Sequence, residues 1–160
     1  MELVQGFAQA LENSDFGAWA RQSSYAYPLA NLIHLLGLVL LVGGIGFLDL
    51  RIAGLFRSLP LAAMSRILTP FALFGLMLLI VSGSVMFAAD AGPLSRSKTF
   101  GWKLSLITLS LANALTFRLL WRRKMEGTNA EAPALGRVMA VASVGLWLWI
   151  AALGRLIAYT

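Results

Sequence analysis

Apolar residues run along this chain in four long blocks, separated by short segments where charge, glycine and proline collect. The blocks cover residues 27–48, 67–89, 100–120 and 138–159. A helix needs about 20 apolar residues to cross about 30 Å of hydrocarbon, and each block meets that length. Pro28 and Pro70 fall near the starts of the first two blocks, where the first helical turn tolerates proline. The pattern predicts an all-α fold: an integral membrane antiparallel four-helix bundle, residues 1–160 forming one four-span transmembrane domain. Every connection is short, so consecutive helices are expected to be antiparallel neighbours. The longest connection, near 121–137, holds Gly127, Thr128, Asn129 and Pro133 and reads as a polar loop.

Ahead of the first block, Leu3, Val4, Phe7, Ala8 and Leu11 share one face at helical spacing, as a short N-terminal interfacial helix would require. A frayed terminus is the plainer alternative. Ser14 and Asp15 are placed to cap a second short turn bearing Phe16 and Trp19, which suit the headgroup level. Glu2 comes before any basic residue, and Gln5 and Gln9 break the apolar run, so this segment does not have the form of a secretory signal.

Composition agrees with the blocks. Of 160 residues, 59% are hydrophobic and 12% charged, about half the charged share of a water-soluble domain. The absence of cysteine removes disulfides, thiolate metal sites and thiol catalysis. The net charge of +6 does not point to nucleic acid, because the basic residues sit at the ends of the apolar blocks. There they mark topology and meet anionic lipid of the bilayer. The first-to-second and third-to-fourth connections carry Arg51, Arg57, Arg66, Arg118, Arg122, Arg123, Lys124 and Arg137. Arg21, Arg96, Lys98, Lys103 and Arg155 lie on the other side, a bias of eight to five. The expected location is a bacterial inner (cytoplasmic) membrane, multi-pass, with both termini on the periplasmic or outer side. Small residues seven apart (Gly37 and Gly44, Gly75 and Ser82, Ser105 and Ala112) suggest packing seams, some of which would serve a homo-oligomer.

The single histidine, His34, lies inside the first block, about 10 Å below its outer end at 1.5 Å per residue. A ring nitrogen in hydrocarbon must find a partner, so it is a candidate functional group. At the same depth the second span brings Ser82, Ser84 and Met86, and the third Ser105 and Thr108. Lys103 and Arg155 stand one turn above, and Asn31 shares the face of His34. Three readings remain open. The imidazole is helix glue, hydrogen-bonded to Ser82, Ser84, Thr108 or a carbonyl. Or it is the axial ligand of haem b, with Lys103 and Arg155 holding the propionates and Met86, another protomer's histidine or water as the sixth ligand. Or it handles copper or protons, although His34 and Met86 are too few ligands for a tight copper site in one chain.

Lys103 with Trp102 also reads as an interfacial anchor, and Arg155 as the partner of Asp90 or a propionate. Asn113 reads as helix glue, and Trp147 or Trp149 as an indole facing the bundle. Asp49 is expected to meet Arg118 or Arg137, and Arg51 to snorkel or contact lipid phosphate. His34 and Asp49 are fifteen residues apart, roughly 22 Å along a helix, too far for a catalytic pair. No serine elbow, zinc-binding helix motif or phosphate loop occurs, so side-chain catalysis is not expected.

Several stretches resemble a family of small bacterial four-span inner-membrane proteins of unknown function. They are Ser24-Tyr-Ala-Tyr-Pro28, Asn31-Leu-Ile-His34, Asp49-Leu-Arg51 with Gly54, Phe87-Ala-Ala-Asp90, Phe100-Gly-Trp-Lys103, Asn113-Ala114, and the run from Gly154 to Tyr159. The run from His34 to Gly44 is also similar to the first spans of copper-resistance membrane proteins of the CopD type. More distantly it is similar to the four-helix cores of b-type cytochromes. Those cytochromes place histidines on at least two helices, so a two-histidine haem here would need a second protomer. Some relatives carry a histidine after the Asn-Ala stretch where this chain has Arg118, which weakens a metal reading there. The leading expectation is therefore a homo-oligomeric inner-membrane haem b protein for electron transfer or haem handling, with a redox partner. A cofactor-free structural or channel-forming homo-oligomer and a copper transport or tolerance protein are the alternatives.

Overall fold

In the computed structural model, residues 2–121 and 132–157 are described, residues 2–4 by their backbone only. The basic cluster 122–124, most of the third-to-fourth connection and Tyr159 lie outside the described residues. All regular structure among those described is helical: α1 (Glu2–Glu12), α2 (Asp15–Gln22), α3 (Ala26–Ala53), α4 (Leu61–Ala89), α5 (Ala91–Arg96), α6 (Lys98–Trp121) and α7 (Ala134–Leu156). Four of them, α3, α4, α6 and α7, are long and apolar enough to cross a membrane. With 28, 29, 24 and 23 residues, they span about 35–44 Å at 1.5 Å per residue, so their ends project past the hydrocarbon.

The helices extend the apolar blocks mainly at the end away from the termini. α3 runs to Ala53, where Gly54 adopts φ 113°. Gly54 N–H donates to the Arg51 carbonyl and Leu55 N–H to that of Leu50, the paired bonds of a Schellman stop. Arg51 braces the turn that follows: its Nε donates to the Leu59 carbonyl at 2.8 Å and its Nη2 to that of Arg57 at 3.2 Å. It is the strut of the α3–α4 turn. α4 starts at Leu61, six residues before the apolar block, so Pro70 lies inside the helix and not in its first turn. Proline has no N–H, so the carbonyl of Arg66 loses its intrahelical donor.

Two of the three small-residue seams face each other. A Cβ on Gly37 would stand 2.8 Å from the Gly75 carbonyl oxygen, one on Gly75 2.6 Å from the Leu41 nitrogen, and one on Gly44 2.9 Å from the Leu68 carbonyl oxygen. α3 and α4 are therefore in backbone contact through most of their length. The third pair, Ser105 and Ala112, is exposed on α6 and takes no part in packing within the chain. The remaining contacts run from α3 to α7 and from α7 to α6, while α4 and α6 scarcely touch. The packing order is thus α4–α3–α7–α6, and the second and third spans are not the neighbours that their short connection implies. Buried Leu41, Ala72, Trp147 and Ile150 form the central core.

Ser14 caps α2, accepting from Gly17 N–H at 3.2 Å, and Phe16 stacks on Trp19. The first two helices are held against the α4–α5 corner. Arg21 donates to the carbonyls of Ala89 (3.1 Å) and Glu12 (2.8 Å) and pairs with the Glu12 carboxylate at 3.5 Å. Glu12 Oε2 in turn accepts from Gly92 N–H at 2.6 Å. Being partly exposed, the ion pair itself contributes little. The charge-assisted bonds to backbone set the position of the segment.

Candidate functional site

His34 sits on α3 opposite Ser82 and Gly83 of α4, where the absence of a side chain on Gly83 gives the ring room: a Cβ there would lie 3.4 Å from His34 Cε1. His34 Nδ1 and Ser82 Oγ are 2.9 Å apart, and Ser82 Oγ–H donates to the Leu78 carbonyl at 2.6 Å. A hydroxyl has one hydrogen, and the short bond to Leu78 uses it. The network therefore assigns the proton to Nδ1, with His34 donating to Ser82. Nε2 is left as a lone-pair nitrogen with no hydrogen bond among the described residues. Ser82 is 2% exposed, so this link is inside the α3–α4 seam, while His34 is only partly buried.

The other sequence-predicted site residues are distributed unevenly around it. Lys103 is partly buried on α6 and lies within electrostatic range of His34. Its Nζ rests against Gly154 of α7, 3.4 Å from where a Cβ would be. Arg155 follows on α7 and is exposed. Met86 is partly buried on α4 one turn beyond Ser82, and Asn31 is exposed on α3. Lys103 and His34 are thus brought together, Met86 is on the same stretch of α4, and Asn31 points away from the packed interior.

A second constellation lies toward the other end. Because α4 and α6 scarcely touch, a cleft of about 1040 Å³ opens between them, floored by α3 and α7. Its walls are mostly aliphatic, yet Asp49, Arg66, Arg118, Ser143 and Trp147 also line it. Asp49 stands beside Ser143 and makes no ion pair with Arg118. Among the described residues, Asp49 Oδ2, Ser143 Oγ and Trp147 Nε1 are buried without a well-formed hydrogen bond, although Ser143 lies close enough to Asp49 to interact with it. Asn113 is also at the cleft, where its Nδ2 donates to the Met139 carbonyl at 3.1 Å and ties α6 to α7. His34 and its neighbours do not line this cleft.

Sequence reasoning noted Asp49 and Trp147 singly and missed Ser143. The available signal was Ser143 and Trp147 four residues apart, two polar groups on one face of an apolar helix. The chain belongs to a family described only as a family of unknown function (DUF6644), whose model matches residues 12–160. No curated protein and no solved structure matches the chain.

Proposed function

Within that family, we propose that this chain is a haem b-binding membrane protein, built as a homo-oligomer, whose axial ligand is His34 Nε2. The observation that supports the reading is the His34–Ser82–Leu78 hydrogen-bond chain, from which the tautomer is assigned. With Nδ1–H given to Ser82, Nε2 is a lone-pair nitrogen on a partly buried ring in an apolar helix. Hydrocarbon offers no donor to such a nitrogen, so its partner comes from outside the chain. Metal-bound histidines carry this arrangement, the distal nitrogen hydrogen-bonded so that the ligating one is oriented and kept basic. The donor set fits haem in two further respects: Lys103 supplies a cation within electrostatic range of His34, and Arg155 follows the glycine on which Lys103 rests. Haem bound there would supply one-electron chemistry. The chain's own part is to orient the imidazole through Ser82 and to hold acidic substituents with Lys103 and Arg155. A second axial histidine would come from another protomer, consistent with the single histidine of the chain. The similarity to b-type cytochrome cores and the CopD type belongs to this reading and rests on the sequence alone.

The test is an absorption spectrum and pyridine haemochrome assay on the detergent-purified protein. A Soret band is expected, and His34→Ala is expected to abolish it while the protein still elutes as a folded species. Colourless wild-type protein, purified from cells supplied with haem precursor, would sink the proposal.

A second reading, a cofactor-free structural or channel-forming homo-oligomer, is favoured by one observation. Gly101, Ser105, Thr108 and Ala112 make an exposed small-residue face on α6, where another copy can approach closely. In that reading His34 is helix glue, and His34→Gln retains assembly. Copper transport or tolerance, with His34 and Met86 as ligands, needs ligands from more than one chain. It predicts copper retained through purification.

A further inference from the structure

The α4–α6 cleft is independent of His34, and its polar groups follow a definite order. Asp49, Arg66 and Arg118 lie four, five and three residues from the ends of their helices, about 5–8 Å inside them at 1.5 Å per residue. They form a charged mouth holding two guanidinium groups and one carboxylate. Neither Arg66 nor Arg118 makes a hydrogen bond or ion pair among the described residues. Ser143 stands beside Asp49, and Trp147 is one helical turn farther along α7. These two residues are 2% and 3% exposed, and their hydroxyl oxygen and indole nitrogen lie behind the cleft wall, out of reach of an occupant. Beyond them the lining is Leu41, Ala72 and Leu76, without polar groups.

Two guanidiniums without ion-pair partners, in an otherwise apolar bundle, call for an occupant that answers their charge. The occupant has to carry an anion for two guanidiniums and an N–H cation for one carboxylate. Below these it needs an apolar body. We infer that the cleft is a binding site for one aminophospholipid of the phosphatidylethanolamine type. The phosphate would meet Arg66 and Arg118, and the ammonium Asp49. The acyl chains would lie along the aliphatic floor. Charge complementarity selects among phospholipids. A phosphatidylglycerol head has no cation for Asp49, and a choline head has no N–H to donate to it.

The experiment is native mass spectrometry of the full-length protein ejected from nanodiscs containing equal parts phosphatidylethanolamine, phosphatidylglycerol and phosphatidylcholine. One retained phosphatidylethanolamine per chain is expected, in preference to the other two. Asp49→Asn keeps the shape and removes the charge. It is expected to reduce the ethanolamine-over-choline preference on the order of tenfold, as loss of one charge-assisted bond implies. Arg118→Gln removes a phosphate contact common to the three lipids and is expected to lower retention of all of them while leaving their ratio unchanged, which a merely unfolded Asp49 variant cannot mimic. The inference is overturned by protein released without lipid, by equal retention of the three, by a preference that survives Asp49→Asn, or by a lipid-free dimer closing the cleft.

Discussion

His34 and Asp49 are polar groups on the same helix, and their surroundings treat them differently. His34 reaches across a tight seam to a serine whose own hydrogen is already committed to Leu78. Asp49 stands beside Ser143 with one carboxylate oxygen buried and without a partner among the described residues. The first arrangement gives a direct prediction. Ser82→Ala leaves the His34 Nδ1–H without its acceptor, which is expected to cost about 1–2 kcal/mol, toward the upper range of interhelical bonds measured in membranes. A lower midpoint of thermal unfolding in detergent checks it. Ser84→Ala is the control, because Ser84 is exposed and bonds only the Ile80 carbonyl of its own helix. Equal midpoints for the two variants would show that Ser82 does not hold the histidine. That His34 needs a partner on another helix was legible from sequence because one imidazole in an apolar block stands alone. Its choice of Ser82 over Ser84 or Thr108 was not, since that depends on helix rotation, which all three serine and threonine positions leave open.

Among the elements, the α3–α4 seam is where packing is least forgiving. A Cβ at Gly75 would meet backbone on two sides, 2.6 Å from Leu41 nitrogen and 2.7 Å from Gly37 carbonyl oxygen, so no rotamer change relieves it. Gly75→Ala is expected to push the helices apart and destabilise by about 1–3 kcal/mol. Gly43→Ala, on the same α3 but with nothing within 4 Å of the new methyl, is expected to be neutral. If both variants unfold alike in a thermal scan, the close approach is not what holds the pair. The existence of the four long helices was legible because composition and length alone decide it. Their ends were less so: Ser65 and Arg66 end the apolar block but not the helix, since a helix outside hydrocarbon carries polar side chains freely. Pro70 was thereby moved from a first turn to an interior one. The cleft was illegible for another reason. It exists because α4 and α6 do not pack together, whereas a short connection argues that they should; the short helix α5 and residue Ser97 occupy that corner and join them without bringing them into register.

On the scale of the whole molecule, the charge asymmetry and the cleft bear on the same question of orientation. The α3–α4 turn with Arg51, Arg57 and Arg66 marks one end, and α1, α2, α5 and Lys98 mark the other. Because positive charge is retained on the cytoplasmic side, the expected topology puts the turn, the charged mouth of the cleft and its proposed lipid in the cytoplasmic leaflet, with the N-terminal helices outside. The chain contains no cysteine, which permits a clean assay. Ser24 and Ser58 are both exposed and lie at opposite ends. In bacterial spheroplasts, Ser24→Cys is expected to react with a membrane-impermeant maleimide. Ser58→Cys is expected to react only after the membrane is permeabilised. The reverse pattern would invert the topology and move the cleft to the outer leaflet, leaving its internal chemistry intact. Labelling of both cysteines in intact spheroplasts would mean a mixed orientation, and neither the eight-to-five bias of basic residues nor a leaflet-specific lipid would then describe the protein.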